Sequence, residues 1–221
     1  MQELDYSGVG TDVLGDSISS LELVDQMGDD LSVVNAARVS YGKRSVHFEE
    51  RDAKLIHYLM RHRHGTPFEH VEFTFRVRAP LFVVHQWERH RMASYNEESG
   101  RYIELRPDFF TPKVDRAGIG EDADDSIEIM REHWQLSFDM YKLFLSRGMD
   151  KELARIVLPA SLYKEFWWTT NARALMNFIS LRTEGHAQEE IRKFGDAVEA
   201  IFLRATPAIA GAFVANERIA P

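Results

Sequence analysis

The 221-residue chain contains no cysteine. That excludes a disulfide, a thiolate nucleophile and any cysteine-ligated metal site. There is also no run of about 18 apolar residues and no basic-then-apolar leader, so neither a transmembrane helix nor a secretory signal is expected, and a cytoplasmic protein is the default. No glycine-rich dinucleotide fingerprint, internal repeat or low-complexity segment is present. Positive charge is in the minority: 27 Lys and Arg against 35 Asp and Glu leave a net charge of -8. That balance argues against nonspecific binding to nucleic acid or anionic membrane, while leaving room for a local basic pocket.

The length suits one domain with a real core, and 44% hydrophobic with 28% charged residues is the composition of a soluble globular protein. Against this acidic background, residues 86–102 (QWERHRMASYNEESGRY) gather arginines, a histidine, two serines and a glycine in one short run. Just upstream, residues 80–87 (PLFVVHQW) predict a helix with proline in its first turn, where the missing N–H costs nothing. Continued through the motif, that helix would place Gln86, Arg89 and His90 at i, i+3 and i+4 on one face. Ser99, Gly100 and Arg101 then offer a hydroxyl, a closely approachable backbone and a second guanidinium. Guanidinium forks match phosphate oxygens two at a time, so the physical reading is an anion site. The bland alternative is a solvated helix followed by a polar loop.

Along the chain, residues 1–20 read as a loosely held arm with a short strand starting near Ser20. Residues 30–40 carry a short helix that Asp30 or Ser32 can cap, ending in Arg38 and Ser40, which a solvated end would also explain. Residues 51–64 form a second helix with Leu55, Ile56, Leu59 and Met60 on its apolar stripe. It runs into His62, His64 and His70. Three readings stand there: a metal site, which lacks a specifying carboxylate–histidine spacing; positive side chains at a helix end; and a ligand contact. Residues 71–77 alternate cleanly, with Val71, Phe73, Phe75 and Val77 toward a core. Residues 114–126 are an acidic loop, and 126–146 a long amphipathic helix whose stripe of Ile127, Met130, Trp134, Phe138, Tyr141 and Leu145 suits core or subunit contact. Residues 150–159 are a short helix closed by Pro159. In it Arg155 sits among apolar residues and needs an anionic partner, which an internal carboxylate or a ligand would supply. Residues 166–170 read as a strand, residues 171–182 as a helix with Asn171, Leu175, Phe178 and Arg182 along one face, and residues 188–205 as a last helix cored by Ile191, Phe194, Val198 and Ile201. A short alanine-rich tail follows Pro207.

Several stretches resemble flavin-dependent thymidylate synthases, together spanning about residues 21–202. The motif Arg89-His90-Arg91, seven residues, Ser99 matches the family signature, and its continuation to Tyr102 extends the match. Residues 36–40 (AARVS), 64–70 (HGTPFEH), 154–159 (ARIVLP), 171–177 (NARALMN) and 181–188 (LRTEGHAQ) carry the rest. The resemblance implies an α/β (α+β) fold in one domain over 1–221, with a central, mostly antiparallel sheet flanked by long helices and a homotetramer with shared sites. It implies that Gln86, Arg89, Glu97, Ser99, Gly100, Arg101 and Arg155 hold dUMP, and that Arg182 favours the ionised uracil as the catalytic residue. Ser40, Thr66, Arg89, His90, Arg91, Asn171, Arg173 and Asn177 would hold FAD, with His64 and His186 near flavin and folate. No metal is implied. The implied reaction is reductive methylation of dUMP to dTMP, with methylenetetrahydrofolate as one-carbon donor and NADPH-reduced FAD as hydride source. It suits a chain without cysteine: a fixed guanidinium on an anionic ring makes C5 nucleophilic with no thiolate attack at C6.

Two rivals predict different observations. A flavin oxidoreductase without methyl transfer would be indifferent to dUMP. A single-stranded nucleic-acid surface would use the Arg/His motif with Trp87 and Tyr95 as stacking platforms, against the net negative charge.

Overall fold

A computed structural model describes residues 12–116 and 118–221. Most of the proposed N-terminal arm (1–11), and Ala117 in the acidic loop, lie outside the described residues. Within the arm's remainder, Leu14 is buried in the core, and its N–H donates to Ser19 Oγ at 2.8 Å.

Four strands form one antiparallel sheet, β1 (Ser20–Met27), β2 (Glu72–Pro80), β3 (Ala93–Glu97) and β4 (Tyr163–Asn171), in the order β1-β2-β4-β3. The expected alternation holds: Val71, Phe73, Phe75 and Val77 are fully buried, and Phe75 sits opposite Trp168 of β4. On the outer face Arg76 grips Glu165 with two 3.0 Å bonds, an exposed pair worth at most about 1 kcal/mol. Burial of one face is therefore what sets the register.

The helices are α1 (Asp30–Arg38), α2 (Glu50–Arg61), α3 (Leu81–Trp87), α4 (Ala123–Ser146), α5 (Lys151–Ala154), α6 (Ala172–Arg182), α7 (Glu189–Ala205) and α8 (Pro207–Ala215). Asp29, rather than Asp30 or Ser32, is the N-cap of α1, and Ser32 completes a capping box. Asp30 instead caps α8, accepting from the N–H groups of Ala208 and Ile209 at 3.0 and 2.9 Å. So the expected alanine-rich tail is a helix, with Pro207 in its first turn and Ile209, Ala210, Ala212 and Phe213 buried. Arg38 is likewise no solvated end, because it pairs at 2.5 Å with Asp52, which is fully buried on α2.

The inner sheet face packs on α3, α6 and α7, with α8 beyond α7 against α2, and Ile191, Phe194, Val198 and Ile201 of α7 are fully buried as expected. At its centre Trp87 meets Phe178 at 4.7 Å and Trp168 at 5.1 Å between ring centroids. The stripe on α4 is only partly covered. Ile127 and Tyr141 are buried and Met130 is exposed, while Ile129, Leu136, Met140 and Leu143 form a further exposed apolar row. None of these helices is long and apolar enough to cross a membrane.

Candidate functional site

The central motif is built around its buried tryptophan. Strand β2 ends at Pro80, which caps α3, and α3 stops after Trp87, its last residue. Tyr95 on β3 reaches back so that its hydroxyl contacts the carbonyl oxygens of both Trp87 and His90, at 3.1 and 2.9 Å. These contacts satisfy the freed carbonyls and close the chain into a turn. Arg89 and His90 therefore leave the helix, and the expected i, i+3, i+4 face is replaced by a turn leading into β3. Burial pushes the Tyr95 phenol up to about 12, so it stays protonated. With Trp87 inaccessible and Tyr95 half-buried, the stacking platforms of the nucleic-acid reading are absent.

From the other side, β4 delivers Asn171, whose side chain caps α6 by accepting from the Ala174 N–H at 3.0 Å. Arg89, His90, Arg91, Asn171, Arg173 and Asn177 line one cleft of about 630 Å³, together with Glu69 and Pro221. Arg173 is held there by Glu69 at 2.6 Å and by the Pro221 carbonyl at 2.9 Å. It packs against Gly65, where a Cβ would fall 2.5 Å from Nε and 2.6 Å from Cζ, so any larger residue there would displace this guanidinium. Arg89 and Arg91 have no carboxylate partner among the described residues.

Arg182 ends α6 beside this cleft. Its Nε donates to His90 Nε2 at 3.0 Å, and a terminal nitrogen donates to the Gln86 carbonyl at 2.8 Å. Burial, followed by the Arg182 charge, lowers the His90 pKa to about 4. His90 is thus a neutral acceptor whose proton sits on Nδ1. Gly195 of α7 lets α6 end here, since a Cβ would stand 3.0 Å from the Arg182 carbonyl carbon.

A second cleft, of about 290 Å³, is lined by Glu97, Arg155 and Lys164 among apolar residues. Gly100 is buried under Arg155, with room for a Cβ only 3.1 Å from Arg155 Cδ and 2.8 Å from a Leu105 methyl. Of the two partners left open for Arg155, no internal carboxylate takes the role among the described residues. Ser99 Oγ accepts weakly from the Arg101 N–H at 3.3 Å, and Arg101 pairs with Glu152 at 2.8 Å.

Ser40, His64, Thr66 and His186 are exposed and stand outside both clefts. The His64 ring lies 6.0 Å from Tyr58, nearly parallel to it. Among the described residues no group of three or more His or acidic side chains is arranged to hold a metal ion. Sequence reasoning missed Lys164, buried at 5% exposure, whose ammonium binds Glu97 at 2.9 Å and the Glu98 carbonyl at 2.6 Å. The signal was available: Lys164, Phe166, Trp168 and Thr170 share the inward face of β4, and a lysine is out of place there unless paired.

The arrangement is two cationic clefts, the first with Arg89 and Arg91 free of carboxylate partners among the described residues, on an α+β scaffold with Arg182 fixed beside it. Residues 22–208 match the family described as thymidylate synthase complementing protein. The chain belongs to the flavin-dependent thymidylate synthase family, and is an enzyme of that class. It is 48% identical over 195 residues to the flavin-dependent thymidylate synthase of Thermotoga neapolitana, covering 88% of this chain and 90% of that one. It is 44% identical over 202 residues to the enzyme of the same name from Thermus thermophilus, covering 87% and 74%. Among solved structures it is similar to a UMP/dUMP methylase, PolB from Streptomyces cacaoi, bound with 5-Br dUMP. That likeness has a TM-score of 0.86 at 38% identity and covers 92% of this chain and 97% of that one.

Proposed function

We propose that the chain catalyses the reductive methylation of dUMP to dTMP, with methylenetetrahydrofolate as one-carbon donor, FAD as bound cofactor and NADPH as reductant. The observation that carries this reading is the pair of guanidinium-lined clefts whose Arg89, Arg91 and Arg155 lack internal carboxylates. Arginine left unpaired at a cleft is matched by an anionic ligand.

The first cleft fits a dinucleotide. Its three guanidinium groups and two amides suit a pyrophosphate, and its volume of about 630 Å³ lies inside the roughly 300–1,000 Å³ usual for small-molecule sites. Arg89, His90, Arg91, Asn171, Arg173 and Asn177 would hold FAD there, with Ser40, Thr66, His64 and His186 added as the site is completed. When bound, FAD supplies hydride transfer, drawing its electrons from NADPH.

Arg155 of the second cleft, with Gly100 packed against it and Ser99 and Arg101 flanking Gly100 in sequence, would take the dUMP phosphate, and Glu97 of the same cleft, with Gln86 and Arg89, the rest of the nucleotide. Arg182 would act on the ring. Its guanidinium is already oriented by His90 and Gln86, so it stabilises negative charge at uracil N3 without rearranging. That charge raises nucleophilicity at C5, which is how a chain without cysteine methylates the ring. The two clefts share no lining residue, although the proposed nucleotide contacts draw on both, and an exposed apolar row runs along α4. Both features support a homotetramer that completes each site from several copies.

Equilibrium binding of dUMP to the FAD-loaded protein tests the assignment of ligands. Micromolar or tighter binding that falls by about 10- to 100-fold in Arg155→Ala is expected, the loss of one charge-assisted bond of about 1.5–3 kcal/mol. Equal binding by wild type and variant would remove Arg155 from the site.

A further inference from the structure

Gln86 is tied into a chain of side chains that reaches well beyond both clefts. Glu190, buried at the start of α7, accepts from Arg116 Nε at 2.8 Å and from Arg116 Nη2 at 3.2 Å. The same carboxylate accepts from Gln188 Nε2 at 2.8 Å. Burial alone would raise the Glu190 pKa, but the Arg116 and Gln188 hydrogen bonds bring it below the ordinary carboxylate value, so Glu190 is ionised at neutral pH. An ionised carboxylate only accepts. Gln188 must therefore turn its amide nitrogen toward Glu190 and its oxygen the other way. That oxygen accepts from Gln86 Nε2 at 2.7 Å. The second N–H of Gln86 Nε2 is directed at the Phe82 carbonyl, 3.4 Å away. With its amide nitrogen engaged inside the protein, Gln86 has one group left to offer a ligand, the oxygen Oε1.

We infer that Arg116, Glu190 and Gln188 form a polarity relay that commits Gln86 to accept a hydrogen bond from the nucleotide. The site then selects, at this point, a ligand group that donates: a sugar hydroxyl or a ring N–H. Arg116, Glu190 and Gln188 are positioning residues; they act through Gln86. The inference rests on the reading of Gln86 as a dUMP contact. It also gives a role to Arg116, at the edge of the acidic segment to which sequence reasoning gave no chemistry.

The relay is directional, so it can be reversed. In Glu190→Gln the new amide keeps its oxygen on Arg116 Nε and presents its nitrogen to Gln188. Gln188 turns over, and Gln86 turns with it, showing a donor where the ligand needs an acceptor. In Gln86→Glu two oxygens face each other between residues 86 and 188. In the double variant the contacts 190–188 and 188–86 pair again in the opposite sense and residue 86 presents an oxygen once more, while the lost bonds to Arg116 Nη2 and to the Phe82 carbonyl are each already lost in one of the single variants.

The experiment is a double-mutant cycle on the FAD-loaded protein, read by calorimetric titration of dUMP, with FAD content and melting temperature measured alongside. Each single variant is expected to lose about tenfold or more in dUMP affinity. The double variant is expected to bind at least about fivefold more tightly than Gln86→Glu alone, with FAD content unchanged throughout. A merely structural role for Glu190 gives no such rescue. Gln188→Met, at an exposed position, supplies an independent arm should Glu190→Gln not fold, and it is expected to weaken dUMP binding with FAD retained. Multiplicative losses in the cycle, or wild-type affinity in Gln188→Met, would overturn the relay while dUMP binding by the wild type stands. Absence of dUMP binding by the wild type would overturn the reading of the site, and the relay with it.

Discussion

Arg182 Nε and His90 Nε2 stand 3.0 Å apart, a guanidinium donating to an imidazole that is kept neutral for the purpose. The bond joins the end of α6 to the turn after α3. A protonated His90 could not accept it. Burial and the Arg182 charge hold the His90 pKa near 4, below its ordinary 6.5.

The sign of the resulting pH dependence follows. A histidine whose folded pKa is depressed contributes stability that is complete above its unfolded pKa and is lost as pH falls from about 6.5 toward 4. NMR titration is expected to place the His90 midpoint near 4 in the wild type. In Arg182→Met the midpoint should move only part of the way to 6.5, because burial is the larger cause. A wild-type midpoint of 6 or more would contradict the geometry.

Arg182→Ala is expected to retain FAD and to lose methylation by about 100- to 1,000-fold, the cost typical of removing one preorganised donor from a developing anion. Residual turnover should rise with pH, since the uracil must then ionise without help. FAD content, turnover and its pH profile are the measurements. Normal turnover in this variant would refute the ring-activating role.

Ser99→Ala tests the absence of covalent catalysis. Ser99 Oγ makes one long bond, to the Arg101 N–H, and no general base contacts it among the described residues. A phosphate ligand of this kind is partly dispensable, so substantial activity is expected, with the loss concentrated in KM. Abolished turnover with intact dUMP affinity would instead make Ser99 a nucleophile.

Lys164→Met removes the ammonium that neutralises Glu97 beside Arg155. The expected result is a rise in dUMP KM of about tenfold, equivalent to about 1.4 kcal/mol, with FAD content unchanged and partial recovery in Lys164→Arg. An unchanged KM would make Lys164 a purely structural pairing.

Much of this was legible in the sequence because burial imposes period. The inward set Val71, Phe73, Phe75 and Val77 and the stripe of α7 follow from side-chain geometry along strand and helix, whereas Asn171, expected on a face of α6, caps it instead. What escaped depends on partners distant in sequence. Nothing local says that Tyr95 will end α3 by reaching Trp87 and His90, or that β3 will pair with β4, far along the chain. Asp30, which with Ser32 is one of two candidate caps of α1 in the sequence, satisfies N–H groups that belong to α8. Six of the residues that the resemblance groups, Arg89, His90, Arg91, Asn171, Arg173 and Asn177, line the first cleft, whereas Ser40, His64, Thr66 and His186 do not; Lys164, Gln188 and Glu190 are polar groups whose meaning appears only with their partners in place.

The most direct test of the central claim is the absorption spectrum of the purified protein during anaerobic reduction by NADPH, followed by addition of dUMP with methylenetetrahydrofolate. A flavin spectrum that bleaches and then returns in step with dTMP formation is the predicted result. Bleaching with no dTMP would leave a flavin reductase, and failure to bind FAD even when it is supplied would contradict the account at its root.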